Sequence, residues 1–406
     1  MEYYSYTLSN GLRIVHKPTT GDVSYCGFVV NAGTRDENED EHGMAHFVEH
    51  MLFKGTKKRR SHHIINRMEV VGGELNAYTN KEETVIYSIF LEPHFERALE
   101  LLSDISFHSE FPQNEIEKER DVIIDEIHSY EDSPSELIFD EFENLLFRNS
   151  GIGHNILGTP DSLQKFDAAK VRAFSGRYYV PSNMVFFSLG KTDFKKIIHL
   201  MKKCVSQESG AGITGKRVFP DAIPAIDIKE KKNTSQVHAL IGCRSYSLFD
   251  SKRRVLQLLN NILGGPGMNS RLNMSMREKR GLVYNVESSY TPYTDTGIFS
   301  VYFGCDKRNA EKCIDLLHKE IQQLRSKKLS TAQLSMAKKQ FFGQIGVMND
   351  NNENVALALG KNFLHYNHFN SLEEVYRELE SISSEEIMAV ANEIFAENRL
   401  FSLLYH

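Results

Sequence analysis

No run of about 18 consecutive apolar residues occurs in this chain, so no segment has the length and hydrophobicity of a membrane-spanning helix. Cysteine is scarce and unpatterned. Cys26, Cys204, Cys243, Cys305 and Cys313 are odd in number and include no C-x-x-C pair, which argues against a disulfide framework and reads as free thiols in a reducing compartment. Positive charge is not in excess, and a net charge of −6 argues against a nucleic-acid partner. The first residues lack the basic start and apolar core of a secretory signal and the arginines of a transit peptide. Around Asn10-Gly11 they read as strand, turn, strand, and the expected location is the cytoplasm.

What is present is globular in composition. Hydrophobic residues make up 41% and charged residues 25% of the chain, which excludes a disordered or fibrous class. A length of 406 residues exceeds what one hydrophobic core usually holds, so two or more domains are expected. Strand-like alternation in Ser24–Val30 leads through a polar loop to a helix at about 41–53 and then to further strands and helices. After a Gly, Ser and Pro-containing stretch at 207–224 the order begins again, with a strand at Val237–Gly242 and an apolar helix at Val255–Gly264. The expectation is an α+β chain of two related halves, 1–206 and 225–406, joined by a linker at 207–224.

The chemistry concentrates in His46-Phe-Val-Glu-His50. Imidazoles at i and i+4 share one helix face with the carboxylate between them, and two neutral ring nitrogens beside a general base are what a hydrolytic zinc site needs. The order H-x-x-E-H is the inverse of the commoner zincin motif. Zinc usually takes a third protein ligand and leaves its fourth position open. The stretch Pro112–Ile127 reads as a helix started by Pro112, with Glu119 and Glu126 two turns apart on one face. Either carboxylate has the reach, and spacing alone does not choose between them.

The run Gly43-Met-Ala-His-Phe-Val-Glu-His-Met-Leu-Phe-Lys-Gly-Thr56 resembles the signature of the pitrilysin-type (M16) zinc peptidases. The resemblance implies that the third zinc ligand is the glutamate 76 residues after the second histidine, Glu126, with Glu119 as a supporting acid. It implies one zinc ion per chain, held by His46, His50 and Glu126, with Glu49 as general base. It also implies two αβ half-domains with antiparallel-rich sheets, and peptide substrates taken into an enclosed chamber.

Gly72–Tyr87 reads as a hairpin turning near Asn80–Glu83, whose edge strand has the form to accept an extended peptide. By resemblance, Asn76, Ala77 and Tyr78 there hold the substrate backbone. In Ser270–Tyr284 a helix is expected to stop at Gly281 and pass the chain to a strand. Arg277 and Tyr284, across that junction, resemble the family's Arg/Tyr pair that contacts substrate and assists at the scissile carbonyl. The second half has no H-x-x-E-H, so a duplicated metal site is not expected there.

Three further features carry less. Gly264-Gly-Pro-Gly267 lacks a following Lys-Ser/Thr and reads as a turn. The basic residues Lys54, Lys57, Lys58, Arg59 and Arg60 read as a solvated face, and the acidic run Asp36–Glu41 as a loop able to attract basic peptides. A family member of this length is expected to pair, as a homodimer or with a paralogous subunit. The rival reading is a non-catalytic scaffold subunit, which typically has a broken metal motif.

Overall fold

A computed structural model describes residues 3–205, 208, 217–232, 234–396 and 398–406. Half of the linker expected at 207–224, residues 207 and 209–216, therefore lies outside the described residues. The first sheet contains β1 (Tyr4–Thr7), β2 (Arg13–Pro18), β3 (Val23–Val30), β4 (Glu74–Thr79), β5 (Thr84–Leu91) and β6 (Met184–Gly190), in the spatial order β1-β2-β6-β3-β5-β4. All neighbours are antiparallel except β2 and β6. The second sheet contains β7 (Asp227–Glu230), β8 (Val237–Arg244), β9 (Val283–Pro292), β10 (Gly297–Cys305) and β11 (Phe401–Tyr405), in the order β7-β11-β8-β10-β9, with only β7 and β11 parallel. The last five strands of the first sheet repeat in the second, position for position and direction for direction. The two related halves expected from the sequence are thus present, as is the antiparallel-rich α+β class.

Strands apolar on both faces need cover on both sides. In β3 and β6 nearly every residue is buried. On one face Phe28, Val30 and Phe186 pack with the helices Met44–Met51 and Phe95–Phe107. On the other, Val29, Val185 and Phe187 pack under Val355, Leu359 and Phe363 of the helix Asn352–Tyr366. Gly360 permits that approach, because an added Cβ would lie 2.6 Å from the Phe187 ring. In the second sheet, β8, β10 and β11 are covered on one face by Ile138, Phe142 and Leu146 of the helix Pro134–Leu146. Their other face carries the helices Arg253–Gly264, Ala310–Ser326 and Ser384–Ile394.

These covers correct the contiguous division at 1–206 and 225–406. One unit consists of Met1–His128, His154–Val218 and Met348–Phe369, and the other of Ser129–Gly153, Phe219–Val347 and Asn370–His406. The reason is burial: each sheet takes one covering helix from the opposite half of the sequence. No helix among the described residues is long and apolar enough to cross a membrane.

Candidate metal centre

The helix Met44–Met51 is held at its start by its own sequence. Gly43 adopts a left-handed φ of 90°, and an added Cβ would lie 2.7 Å from the Leu157 carbonyl oxygen and 2.8 Å from Gly158 Cα. The buried Glu37 carboxylate accepts hydrogen bonds from the amides of Gly43 (3.0 Å) and Ala45 (2.9 Å), donors that would otherwise go unmet at a helix N-terminus. Burial pushes the Glu37 carboxyl up, and those two amides oppose it. Met44, Phe47, Val48 and Met51 lock the helix into the core. That leaves His46, Glu49 and His50 on a second face, with the two imidazole rings 4.5 Å apart.

The helix Gln113–Glu131 presents Ile116, Glu119, Ile123 and Ile127 inward, a helical repeat that carries Glu126 along its margin. Glu126 Oε2 lies 3.9 Å from His46 Nε2 and 3.8 Å from His50 Nε2. The donor atoms of His46, His50 and Glu126 fall within 4.8 Å of one another, the one such metal-capable group found among the described residues. A tetrahedral zinc ion with bonds of about 2.1 Å separates its donors by roughly 3.4 Å, so this set needs only a slight closing to fit.

Geometry also separates the two glutamates. Glu119 Oε1 lies 2.8 Å from His50 Nδ1, and its other oxygen takes the Lys54 ammonium at 2.6 Å. A carboxylate at Nδ1 keeps that nitrogen protonated and leaves the Nε2 lone pair for a metal, which is the supporting role expected of Glu119. Burial pushes Glu119 up, but its hydrogen bonds with His50 and Lys54 prevail and hold it below the ordinary carboxylate range. Burial, followed by the neighbouring His50, lowers His46 to about 3 and so keeps its ring neutral and able to coordinate.

Glu49 is buried, and its Oε2 has no hydrogen-bond partner. Burial raises its carboxyl above the ordinary value, opposed by a hydrogen bond with Thr79. An orphaned, proton-seeking carboxylate oxygen beside three converging donor atoms fits a metal and its water.

The hairpin forms as expected, with residues 80–83 between β4 and β5 and β4 at the sheet edge. Asn76 and Ala77 line a cavity of about 500 Å3 together with Glu49, His50, Phe53 and Glu119. Tyr78 does not join them. Leu75 and Ala77 pack toward the core that contains the Met44–Met51 helix, whereas Tyr78, one step out of phase, packs on the opposite face, where Lys361 Nζ sits 4.9 Å from its ring centre. Arg277 and Tyr284 belong to the second unit. Both are exposed, Arg277 on a helical turn ending at Glu278 and Tyr284 at the start of β9, where its hydroxyl donates to Asp306 Oδ1 at 3.0 Å. The turn between them is Gly281, at φ 59°, as the sequence suggests.

The two charged surface runs are partly tied down. Of the basic residues, Lys57, Lys58 and Arg60 are exposed as a solvated face, whereas Lys54 binds Glu119 and Arg59 binds Glu100 and Asp104, which ties the loop after the His46 helix to its surroundings. In the acidic run, Asp36 pairs with Arg217, Glu37 with two amides and Glu41 with Arg177, while Glu39 is exposed and Asp40 meets Lys170 at the surface.

Residues 13–160 match the family model described as insulinase (peptidase family M16), and residues 165–341 match that of the peptidase M16 inactive domain. An uncharacterized zinc protease of Bacillus subtilis is 31% identical over 401 residues, covering 98% of this chain and 97% of that protein. The chain belongs to peptidase family M16. One of Rickettsia bellii is 30% identical to this M16 chain, covering 96% of it and 94% of the relative. Among solved structures the M16 chain is similar to a protease from Helicobacter pylori, with a TM-score of 0.93 and 20% identity over 100% of this chain and 99% of that one. The peptidase M16 inactive domain from Pseudomonas fluorescens gives a TM-score of 0.92 at 19% identity, over 100% and 98% of the two chains. At such identities the likeness is one of fold, and it extends over both units of the M16 chain. The inactive-domain match covers the part of the chain that lacks H-x-x-E-H.

Proposed function

We propose that this M16 member is a zinc-dependent endopeptidase acting on peptides and unfolded segments. The observation that carries the reading is the convergence of His46 Nε2, His50 Nε2 and Glu126 Oε2 beside the unpartnered Glu49 Oε2. His46, His50 and Glu126 hold one zinc ion, which when bound supplies Lewis-acid polarisation of a water molecule and of the scissile carbonyl. Glu49 takes the proton from the attacking water and hands it to the leaving amine nitrogen. Its raised proton affinity suits both transfers. The edge strand β4 adds an extended substrate by main-chain pairing, with Asn76 and Ala77 beside the cavity.

The assembly in this reading is a homodimer enclosing a chamber, in which Arg277 and Tyr284 of one subunit donate hydrogen bonds to substrate at the zinc of the other. Their exposure supports it. Mixing His50→Ala with Arg277→Ala chains then restores cleavage that neither variant has alone, and no recovery argues against sharing. The five unpaired cysteines support a reducing, cytoplasmic setting.

The deciding experiment pairs zinc analysis of the purified protein with cleavage of a quenched peptide library, with and without chelator. Glu49→Gln is expected to retain zinc and lose about 100-fold or more in turnover. Near wild-type turnover in that variant refutes the base assignment. Zinc bound in full with no chelator-sensitive cleavage favours the scaffold-subunit reading.

A further inference from the structure

The second unit contains a cavity of about 490 Å3 that the peptidase reading does not use. It opens between the helix Ala310–Ser326 and the strands β7 and β11. Ile314, His318, Gln322 and Arg325 recur at helical spacing and form one stripe of that helix along the cavity. In the neighbouring stripe Cys313, Leu317 and Leu324 are spent on the core, while Ile321 belongs to the core and also borders the cavity. Opposite, the parallel register sets Asp227 beside Ser402 and Lys229 beside Leu404, and all four line the same space. Ile241 and Leu404 are buried and make its floor apolar.

The charges there are unbalanced. Arg325 Nε is inaccessible to solvent and has no hydrogen-bond partner, and among the described residues neither Arg325 nor Lys229 forms an ion pair. The lining's acid, Asp227, accepts the Ser402 hydroxyl at 2.6 Å, and its single negative charge leaves one of the two cations unmatched. A guanidinium held without an anion above an apolar floor is the complement of a molecule with one anionic end and one apolar end. The planar fork of arginine matches a carboxylate in two parallel hydrogen bonds. The volume lies in the lower half of the range usual for small-molecule sites, about 300–1,000 Å3, which suits a medium-length chain.

We propose that this cavity binds an aliphatic monocarboxylate, its carboxylate on Arg325 and Lys229 and its chain against Ile241, Ile314 and Leu404. The site is separate from the metal centre, and its test does not depend on peptidase activity. Isothermal titration of the full-length protein with octanoate, octan-1-ol and acetate reads it directly. Saturable one-to-one binding of octanoate is expected, with octan-1-ol about tenfold weaker or more and acetate without measurable binding. Arg325→Gln should weaken octanoate about tenfold or more and leave octan-1-ol unchanged. Should that variant fail to fold, Lys229→Glu on the exposed edge strand is the second probe, with the same direction expected. Absence of saturable octanoate binding, equal affinity for octanoate and octan-1-ol, or an unchanged octanoate affinity in the folded variants overturns the proposal.

Discussion

Replacing Glu119 by alanine tests how the metal centre is organised. The substitution removes the acceptor 2.8 Å from His50 Nδ1 and leaves the ammonium of Lys54, formerly 2.6 Å from the other oxygen, without its carboxylate. Freed of that restraint, the imidazole samples both tautomers and other ring orientations, only some of which aim Nε2 at Glu126. Loss of such an outer partner typically costs about 10–100-fold in metal affinity, or roughly 1.4–2.8 kcal/mol. Glutamine at 119 is a graded probe. Its amide oxygen still accepts from His50, but its NH2 group now faces Lys54, donor against donor, so the loss should be near the lower end of that range. Lys54→Met leaves the His50–Glu119 bond in place and should cost least. Competitive zinc titration against a chromophoric chelator at neutral pH measures all three, on variants with matched urea midpoints. The ionised Glu119 carboxylate lies below its ordinary value of 4.5 in the folded chain, so its contribution is complete above that pH and disappears as the pH falls through the lower folded value. A Glu119→Ala protein that binds zinc within about twofold of wild type refutes the reasoning, since the second-row bond would then have no bearing on the ligand.

Two other perturbations follow from the same framework. Gly43→Ala forces a Cβ toward the Leu157 and Gly158 backbone from a left-handed φ, and should cost about 2 kcal/mol or more in urea unfolding and displace the start of the His46 helix; an unchanged midpoint refutes it. Glu83 is buried, which alone would raise its carboxyl, but a hydrogen bond with His365 and the charge of Lys361 bring it down to about 2. Its folded value is below the ordinary 4.5, so it contributes stability above pH 4.5, on the order of 3 kcal/mol, which fades as the pH falls toward 2. Glu83→Gln should therefore be less stable than wild type at pH 7, with the gap narrowing below pH 4.5 and closing only as the pH falls to 2 in urea titrations, and parallel losses across that range contradict the assignment.

The legible part of the site was that governed by local periodicity. Four-residue spacing puts His46 and His50 on one helix face, seven-residue spacing puts Glu119 and Glu126 on another, and the Asn80–Glu83 turn sets the edge strand. Tyr78 shows where this fails. Alternation says that it opposes Ala77, but only the packing of the helix Asn352–Tyr366 against the sheet reveals which face is which. Lys54 and Glu37 read only as members of charged runs, because their roles lie with a partner 65 residues away and at a helix end, respectively.

By itself, the sequence determined the candidate metal-ligating residue types, the helices and strands that carry them, and the repeat of strand order in its two halves, because these depend on contacts a few residues apart. Residue spacing left open which glutamate faces the Nε2 atoms of His46 and His50 and which anchors His50, a choice only the family resemblance implied; the tertiary structure sets Glu126 and Glu119 in those places, and it alone decided which sheet each covering helix serves and where the charged loops find their partners. Those outcomes depend on burial between segments distant in the chain, where the free energy of covering apolar strands overrides the order in which residues are joined.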